Sequence, residues 1–492
     1  MTGTPAVTEI RPIKGIKTVE DFRAYVEARG LDLHCEDSIA PAASSPLCEP
    51  LHVYGRTIGN RWAVHPMEGW DGTTDGGATE LVIRRWRRFG ESGAKLIWGC
   101  EAMAIRPDAR ANPNQLIISS QTESDLARLR GVLLHAHRER FGTTDDMMIG
   151  FQLTHSGRFC KPWDKGKFES RVAYRHPILD RKFGVTSDAQ IFRDDEIGPL
   201  VEDYIKAAKI ARNVGADFVD IKHCHGYLLH EFLGAKTRNG PYGGSFENRT
   251  RLLREIAAGI RAEVPGMLLG VRLSAFDTVP YKPDPEKSAG GVLGPGIPED
   301  YSGCLPYVYG FGVNETDPVQ YDLTETCLFL ELLRELDIRL VNITGGSPYY
   351  NPHIQRPAIR PPSDGYAPPE DPLVGVARHI NVVKYLKARF PDLVLVGTGY
   401  TYLQEYLPHV AQYYLRHQHV DSVGIGRLVL TYPHFFVDAT TKGVLDARII
   451  CRTLSDCTTG PRKGLPSGCY PLDEFYKTSE YGARLRELKK AR

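Results

Sequence analysis

Short apolar runs alternate along the chain with segments whose apolar residues repeat at the three- and four-residue spacing of a helix. The apolar runs, typical of buried strands, fall at residues 62–64, 95–98, 148–153, 218–221, 267–273, 340–343, 393–396 and 422–425. The helical spacing falls at residues 79–89, 124–140, 195–214, 246–264, 322–336, 372–390 and 402–416. Strand followed by helix, repeated over about 380 residues, predicts a parallel sheet closed into a (β/α)8 TIM barrel. We therefore expect functional residues at the carboxyl ends of the strands.

Three segments lie outside this repeat but inside the barrel region. Residues 51–61 predict a hairpin turned at Gly55 that closes the bottom of the barrel. Residues 278–317 are rich in Gly, Pro and Tyr without periodicity, and predict a long loop on the functional rim after the fifth strand. We interpret that loop as a lid or substrate wall. Residues 349–371, with many prolines, predict a similar loop after the sixth strand.

The two ends of the chain carry no barrel repeat. We divide the sequence into an N-terminal extension of residues 1–50, a barrel of residues 51–447, and a tail of residues 448–492. The tail contains cysteines and a final charged helix. No internal repeat and no low-complexity tract is present.

Composition restricts the class of protein. The 492 residues carry 61 Lys and Arg against 60 Asp and Glu, a net charge of +1, which disfavours a nucleic-acid or anionic-membrane partner. No apolar run approaches the roughly 18 to 20 residues of a spanning helix, and the first residues contain no apolar signal core. Ten cysteines are too few for a disulfide scaffold in a chain of this size. We expect a soluble cytoplasmic protein that acts on a small molecule.

A set of motifs in barrel order resembles one known family. The run FVDIKHCHGYLLHEFLGAKTRNGPYGGSFENRTRLLREI occupies residues 218–256, and HPMEG, GFQLTHSGRF, GVRLSAFD, VGTGY and VGIGRLVL accompany the first, third, fifth, seventh and eighth strands. Over residues 51–436 the chain resembles the Old Yellow Enzyme family of FMN-dependent ene-reductases, particularly its 2,4-dienoyl-CoA reductase-like branch. The resemblance implies an FMN cofactor reduced by NADH or NADPH.

The last two strands end in glycine pairs that are typical of a phosphate site. Gly397 and Gly399 follow the seventh strand, and Gly426 with Arg427 follows the eighth. Glycine lets exposed backbone N–H groups approach a phosphate closely, and the arginine supplies a cation. A single glycine pair would indicate only a tight turn, but two on consecutive strands favour phosphate binding.

The resemblance implies further flavin contacts. Gln152 matches the family glutamine at the pyrimidine edge, and Arg272 matches the cation beside N1 and the C2 carbonyl. An arginine in an apolar strand also indicates a functional role without the resemblance, because burying an unpaired charge costs considerable free energy. Pro66, Met67 and Ala102 match positions that wrap the isoalloxazine ring.

The resemblance also implies the reacting groups. Two side chains three residues apart polarise the substrate carbonyl in the family; here they are Lys222, a departure from the usual histidine, and His225. Both types donate hydrogen bonds, and a protonated lysine stabilises developing enolate charge. Tyr227 matches the tyrosine that protonates the α-carbon. We interpret His223 and His230 as structural.

Glu68 is a second departure, because the family usually has Thr or Cys near the flavin C4 carbonyl. An ionised carboxylate cannot donate a hydrogen bond, and its charge should lower the flavin potential. A salt bridge between Glu68 and Lys222 would relieve this charge. His65 also replaces a small residue, which suggests a remodelled pocket floor.

The tail cysteines are a third departure. The branch binds a four-iron cluster through the spacing C-x2-C-x3-C-x11-C. Cys457 and Cys469 keep the x11 interval, but only Cys451 precedes them, at x5, and Thr453 stands where a ligand is needed. Since four thiolates are usually required, we expect no cluster and no metal, and interpret the cysteines as a structural remnant.

The expected activity is reduction of an activated C=C bond by an FMN reductase. We also expect no FAD- or NADH-binding domain, because no GxGxxG follows a strand, so the electrons come from a diffusible nicotinamide or another reductant. Three alternatives stay open: a flavin-dependent dehydrogenase of an amine, alcohol or carbonyl compound, a Schiff-base barrel using Lys222, and a non-catalytic binding barrel. A homo-oligomer also stays open.

Overall fold

A closed parallel barrel forms the centre of the protein, whose computed structural model describes residues 10–490. All eight predicted strands are present, and the (β/α)8 fold is confirmed. The strands, numbered in chain order, are β1 Leu51–Val53, β2 Arg56–Ile58, β3 Trp62–Val64, β4 Leu96–Ile97, β5 Ala102–Ala104, β6 Met148–Thr154, β7 Phe218–Ile221, β8 Leu268–Ser274, β9 Tyr281–Pro283, β10 Gly296–Pro298, β11 Leu340–Thr344, β12 Val394–Gly397 and β13 Ser422–Ile425. The barrel order is β3, β4, β6, β7, β8, β11, β12 and β13, with β13 pairing back to β3.

Helices cover the outside of the barrel. Each long helix begins within two residues of the predicted start, except the last, where a 3-10 segment at Tyr400–Tyr406 precedes the α-helix. The helices are α1 Val19–Glu27, α2 Glu80–Glu91, α3 Glu123–Phe141, α4 Leu179–Lys182, α5 Ile197–Asn213, α6 Leu228–Leu233, α7 Phe246–Glu263, α8 Thr324–Glu335, α9 Pro352–Gln355, α10 Pro372–Arg389, α11 Leu407–Arg416, α12 Phe435–Lys442, α13 Asp456–Arg462, α14 Glu474–Thr478 and α15 Glu480–Lys490. Within residues 10–490, none is both long and apolar enough to cross a membrane.

The N-terminal end of the barrel is closed by the predicted hairpin. β1 and β2 are antiparallel and turn at Tyr54 and Gly55, both with positive φ, which suits a tight two-residue turn. Leu51, Val53 and Ile58 are buried in one apolar cluster with inward residues of the barrel strands, such as Trp98 and Phe218. The hairpin therefore fixes the closed end of the barrel, and the open end carries the site.

The long loop after the fifth barrel strand is a correction to the sequence analysis. Residues 278–317 form the β9–β10 hairpin and irregular chain, and none of them lines the main cavity. The loop instead supports the proline-rich loop after β11: Tyr281 N donates to Tyr350 O (3.1 Å), and Gly296 N donates to Ala367 O (2.9 Å). Residues 278–317, expected to form a lid, thus support the 349–371 loop through hydrogen bonds. The 349–371 loop forms the wall of the cavity.

The two terminal segments pack back onto the barrel. In the N-terminal extension, of which residues 1–9 lie outside the described part, Phe22 of α1 stacks on Tyr406 with ring centroids 4.4 Å apart. In the tail, the Asp473 carboxylate accepts from Arg84 of α2 (2.9 Å). The backbone N–H of Trp70 donates to Ser467 Oγ (3.0 Å). The tail is therefore anchored beside the open end of the barrel.

Candidate active site

One cavity opens at the carboxyl ends of the barrel strands. Of the thirteen residues predicted from the sequence, twelve line it: Pro66, Met67, Glu68, Ala102, Gln152, Lys222, His225, Tyr227, Arg272, Gly399, Gly426 and Arg427. The exception is Gly397, the last residue of β12, where an ideal Cβ would meet the Tyr400 ring at 3.0 Å. Its glycine is thus required by packing rather than by the cavity.

The Gln152 side chain is oriented by a buried carboxylate. Its Nε2 donates to Asp220 Oδ2 (2.6 Å), which also accepts from Trp98 Nε1 (2.7 Å). Asp220 Oδ1 accepts from the backbone N–H of Arg272 (2.7 Å). Because the amide nitrogen is bound to Asp220, Gln152 presents its carbonyl oxygen to the cavity, as recognition of a flavin ring N–H requires.

Arg272 is a buried cation without a carboxylate in hydrogen-bond contact. Its guanidinium is fully enclosed, its Nε has no partner, and its one hydrogen bond is a long contact from Nη1 to Pro66 O (3.4 Å). Burial lowers the pKa of Arg272. A buried donor without a partner is expensive, so this group fits an acceptor that binds in the cavity.

The β12 and β13 ends form a glycine cradle. Gly399 has φ +96°, in the left-handed region, and an ideal Cβ there would meet the His379 ring at 3.1 Å. At Gly424 a Cβ would meet the His65 ring at 2.0 Å, which explains how this large side chain is accommodated. The Arg427 Nη1 is buried without a partner. An open cradle with an unpaired arginine fits a phosphate group.

Lys222 does not form the expected salt bridge with Glu68. The Nζ atom lies 3.4 Å from the centroid of the Tyr227 ring, a cation–π contact, and among the described residues no ion pair joins it to Glu68. Lys222 is 4% exposed, and burial lowers its pKa. The ammonium therefore faces the cavity over an aromatic ring.

Glu68 is bonded to the predicted acid instead. The Tyr227 hydroxyl donates to Glu68 Oε2 (2.5 Å) and lies 2.9 Å from the Tyr349 hydroxyl. Trp70 Nε1 donates to Glu68 Oε1 (2.9 Å). Burial first, and then the charge of Glu68, raise the pKa of Tyr227 well above its ordinary value.

Of the three histidines His223, His225 and His230, only His225 lines the cavity. His225 lines the cavity with a positive φ of 65°, and its Nε2 lies 3.3 Å from Gln355 Nε2. Burial lowers the pKa of His225 well below its ordinary value, so the ring is neutral. His223 Nδ1 contacts Ile221 O (2.7 Å), and His230 Nδ1 accepts from Gly226 N (3.0 Å). Those two rings support the backbone.

Sequence reasoning named none of the residues in the wall that the 349–371 loop and the tail build. The wall comprises Tyr349, Gln355, Arg356, Thr458 and Arg462. Arg356 Nη1 donates to Thr458 Oγ1 (2.7 Å), while its Nη2 is buried without a partner. Burial, and then the charge of Arg427, lower the pKa of Arg356. The one available signal was the pair of arginines in segments without periodicity.

The tail cysteines are free thiols. Cys457 lines the cavity, and Cys451 and Cys469 are buried behind it. Among residues 10–490, no group of three or more His, Cys, Asp and Glu side chains is arranged to hold a metal ion. Thr453, at the missing ligand position, is buried with φ 50°. This part of the tail therefore closes the cavity with packed side chains.

The fold and the site define a class. An oriented amide, a buried unpaired arginine and a glycine cradle at the strand ends of a (β/α)8 barrel are the features of a flavin-binding oxidoreductase.

Comparison with known proteins shows which family the chain resembles. Residues 46–287 match the NADH:flavin oxidoreductase / NADH oxidase family. An NADH:flavin oxidoreductase of Gibberella zeae is 29% identical over 371 residues, 72% of this chain and 76% of that protein. The match to 12-oxophytodienoate reductase 1 of Oryza sativa subsp. japonica is 28% identical over 253 residues, 50% of this chain and 62% of that protein, less than two thirds of its length. The old yellow enzyme homologue of Zymomonas mobilis superposes with a TM-score of 0.55 at 22% identity, over 82% of this chain and 95% of that one. Over residues 46–287 the chain is therefore similar to the NADH:flavin oxidoreductase / NADH oxidase family, whose flavin is FMN.

Proposed function

We propose that the protein is an FMN-dependent ene-reductase that uses NADH or NADPH to reduce the C=C bond of an α,β-unsaturated carbonyl compound. One observation carries the proposal: the hydrogen-bonding side chains that follow β7 face the same cavity as the amide of β6 and the arginine of β8. When bound, FMN would supply the hydride-transfer chemistry between the nicotinamide and the β-carbon of the alkene.

The chain's own residues supply binding and polarisation. Gln152 and Arg272 would hold the pyrimidine edge, and Arg427 with the Gly399 and Gly426 backbone would hold the phosphate. The Lys222 ammonium is desolvated and free to donate toward a carbonyl oxygen, so it would stabilise negative charge that develops there.

The proton comes from Tyr227. Its hydroxyl lies at the cavity wall, enclosed by the Phe159 ring with centroids 5.7 Å apart and by Tyr349. Enclosure by aromatic rings keeps bulk water from the substrate α-carbon, so a positioned phenol is the nearest acid. His225 and Lys222 would both donate hydrogen bonds to the carbonyl oxygen of the substrate.

The two half-reactions test the proposal separately in stopped flow. NADPH should bleach the flavin of the purified protein, and 2-cyclohexenone should reoxidise it under anaerobic conditions. The Tyr227→Phe variant should keep the first step and slow the second by roughly 10² to 10⁴, the effect of a positioned acid. Equal reoxidation rates in wild type and Tyr227→Phe would show that Tyr227 is not the proton donor.

A dehydrogenase of an amine, alcohol or saturated carbonyl compound is the second candidate. The observation that favours it is the hydrogen bond from Tyr227 to the Glu68 carboxylate, which is an acceptor and serves proton removal as well as delivery. The negative charge of Glu68 near the flavin opposes it, because it makes the flavin a weaker oxidant. Anaerobic flavin reduction by a saturated amine or alcohol, without nicotinamide, would select this candidate.

A Schiff-base reaction at Lys222 has a separate signature. Borohydride with a carbonyl compound would trap a covalent adduct on Lys222 in the apoprotein. A mass increase that disappears in Lys222→Met would favour that chemistry over flavin chemistry.

A further inference from the structure

The hydroxyl hydrogen of Tyr227 has a fixed direction. Its oxygen lies 2.5 Å from Glu68 Oε2 and 2.9 Å from the Tyr349 hydroxyl. A phenol has one hydrogen, and an ionised carboxylate only accepts. When Glu68 is ionised, the Tyr227 hydrogen therefore points at Glu68, Tyr349 donates the second bond, and no hydrogen of Tyr227 faces the cavity.

The neighbours of Glu68 also fix where it can carry a proton. Its Oε1 accepts from Trp70 Nε1 (2.9 Å), and Asn112 Nδ2 lies 3.5 Å from the same oxygen. The indole N–H is a donor only, so a proton on Glu68 has to sit on Oε2. From there it would donate to Tyr227 Oη and release the phenol hydrogen toward the cavity.

We propose that Glu68 gates the proton donor: only when Glu68 is protonated does Tyr227 present its hydrogen to the substrate. This inference rests on the proposed ene-reduction. In the step, the electron pair of the substrate enolate forms the α-carbon C–H bond as the Tyr227 O–H bond breaks. The Glu68 proton moves from Oε2 to the Tyr227 oxygen. Glu68 ends as a carboxylate and takes its next proton from water.

The alternative, a lone phenolate beside a carboxylate, places two like charges in a desolvated site. The raised pKa of Tyr227 reflects this cost, since burial and the Glu68 charge both oppose ionisation. The charged or titratable groups around the pair are Lys222, Tyr349, His225, Arg272, Arg356, Arg462 and Arg85, of which Arg85 is bound to Asp71 and Glu101. Lys222, on the Tyr227 ring, is the nearest positive charge.

Glu68→Gln tests the gate because it imitates the protonated carboxyl. The amide oxygen accepts from Trp70, and the amide N–H₂ donates to Tyr227 at every pH. In single-turnover stopped flow, the rate of wild-type reoxidation by 2-cyclohexenone should have an alkaline limb that falls about tenfold per pH unit. The Glu68→Gln variant should lack this limb, and its reoxidation rate should stay within about tenfold of the wild-type rate on the acid plateau. A Glu68→Gln variant that keeps the wild-type limb, or that is as slow as Tyr227→Phe at every pH, would overturn the gate.

A matched control exists elsewhere in the chain. Glu255 accepts from the Tyr242 hydroxyl (3.0 Å) outside the cavity, so Glu255→Gln makes the same change in a second tyrosine–glutamate pair. Its pH profile should equal that of the wild type. A matching loss of the limb in this control would assign the limb to a global effect and overturn the gate.

Infrared titration of the holoprotein separates the gate from the proposed function, because it needs no substrate. At the acid plateau of the rate profile, a protonated-carboxyl band should be present in wild type, be absent in Glu68→Gln, and shift in Tyr227→Phe, where its hydrogen-bond acceptor is lost. A band whose position is the same in Tyr227→Phe as in wild type would overturn the gate. A band that behaves as expected in a protein that reduces no alkene at any pH overturns the ene-reductase proposal and the gate's catalytic role with it.

Discussion

The ammonium of Lys222 lies 3.4 Å from the centre of the Tyr227 ring, so a cation and an acid that follow the same strand share one aromatic contact. Such a contact stabilises a desolvated ammonium by about 2 kcal/mol without neutralising it. A direct pair with Glu68 would have neutralised the charge. Because the Tyr227 hydroxyl occupies the Glu68 carboxylate instead, the Lys222 ammonium has no carboxylate partner and is available to a ligand.

Lys222→Met should weaken ligand binding and leave the cofactor bound. A charged donor is lost while the stem is kept, so affinity for 2-cyclohexenone should fall about ten- to a hundredfold, the scale of a charge-assisted hydrogen bond. Titration of the flavin absorbance measures it. Lys222→His keeps a donor and should retain measurable alkene reduction. Unchanged affinity in Lys222→Met would remove the polarising role.

Arg427→Met should discriminate between FMN and riboflavin. If the unpartnered Nη1 binds the phosphate, the affinity for FMN should fall about ten- to a hundredfold. Riboflavin lacks the phosphate and should bind as it does to wild type. Fluorescence titration of the apoprotein with each flavin provides the comparison. Arg427→Lys, which keeps the charge, should lose less. An equal loss for both flavins would show that the arginine acts on the ring or on the fold.

Asp220→Asn should weaken both flavins. Three donors converge on the Asp220 carboxylate: Gln152 Nε2, Trp98 Nε1 and the Arg272 backbone. Asparagine replaces one acceptor oxygen with a donor. An amide nitrogen in the Oδ2 position would leave Gln152 and Trp98 without their acceptor, and one in the Oδ1 position would leave the Arg272 backbone without it, at a cost of about 1–3 kcal/mol for each unsatisfied donor. The control is Asp217→Asn, before β7, whose carboxylate accepts from Ile149 N (2.8 Å) far from the cavity. Full flavin affinity in Asp220→Asn would make the Gln152 contact dispensable.

The sequence predicted the barrel and the strand-end residues because both depend on local patterns. Short apolar runs defined each strand, and the resemblance of the FQLTH and VRLSA motifs to the family pointed to Gln152 and Arg272 within two of them. The Glu68–Lys222 pair was wrong for a geometric reason: the distance between side chains on different strands depends on rotamers, and an aromatic ring lies between these two. Tyr349 and Arg356 were missed because their loop has no periodicity, and only tertiary contacts bring it over the cavity.

Asp277 should make the stability of the fold depend on pH. Its carboxylate is 6% exposed and accepts from Tyr350 Oη (2.5 Å) and Thr278 N (2.9 Å), in the network that ties the chain after β8 to the 349–371 loop. Burial raises the pKa of Asp277 to about 6, although these two hydrogen bonds and a third from Asn351 Nδ2 (3.2 Å) lower it. The folded state therefore holds this proton more tightly than the unfolded state, whose pKa is about 3.9.

The raised pKa of Asp277 makes the protein less stable as the pH rises. The stabilising contribution is complete below about pH 4 and is lost as pH rises through about 6, a change of roughly 3 kcal/mol in the free energy of unfolding. Asp277→Asn cannot titrate and keeps an acceptor for Tyr350, so its thermal midpoint should decline less than that of wild type between about pH 4 and 7. Calorimetry of both proteins, with Asp145→Asn as an exposed control, measures the difference. Parallel midpoint curves for wild type and Asp277→Asn would mean that Asp277 titrates alike in the folded and unfolded states, with its burial fully offset by its hydrogen bonds.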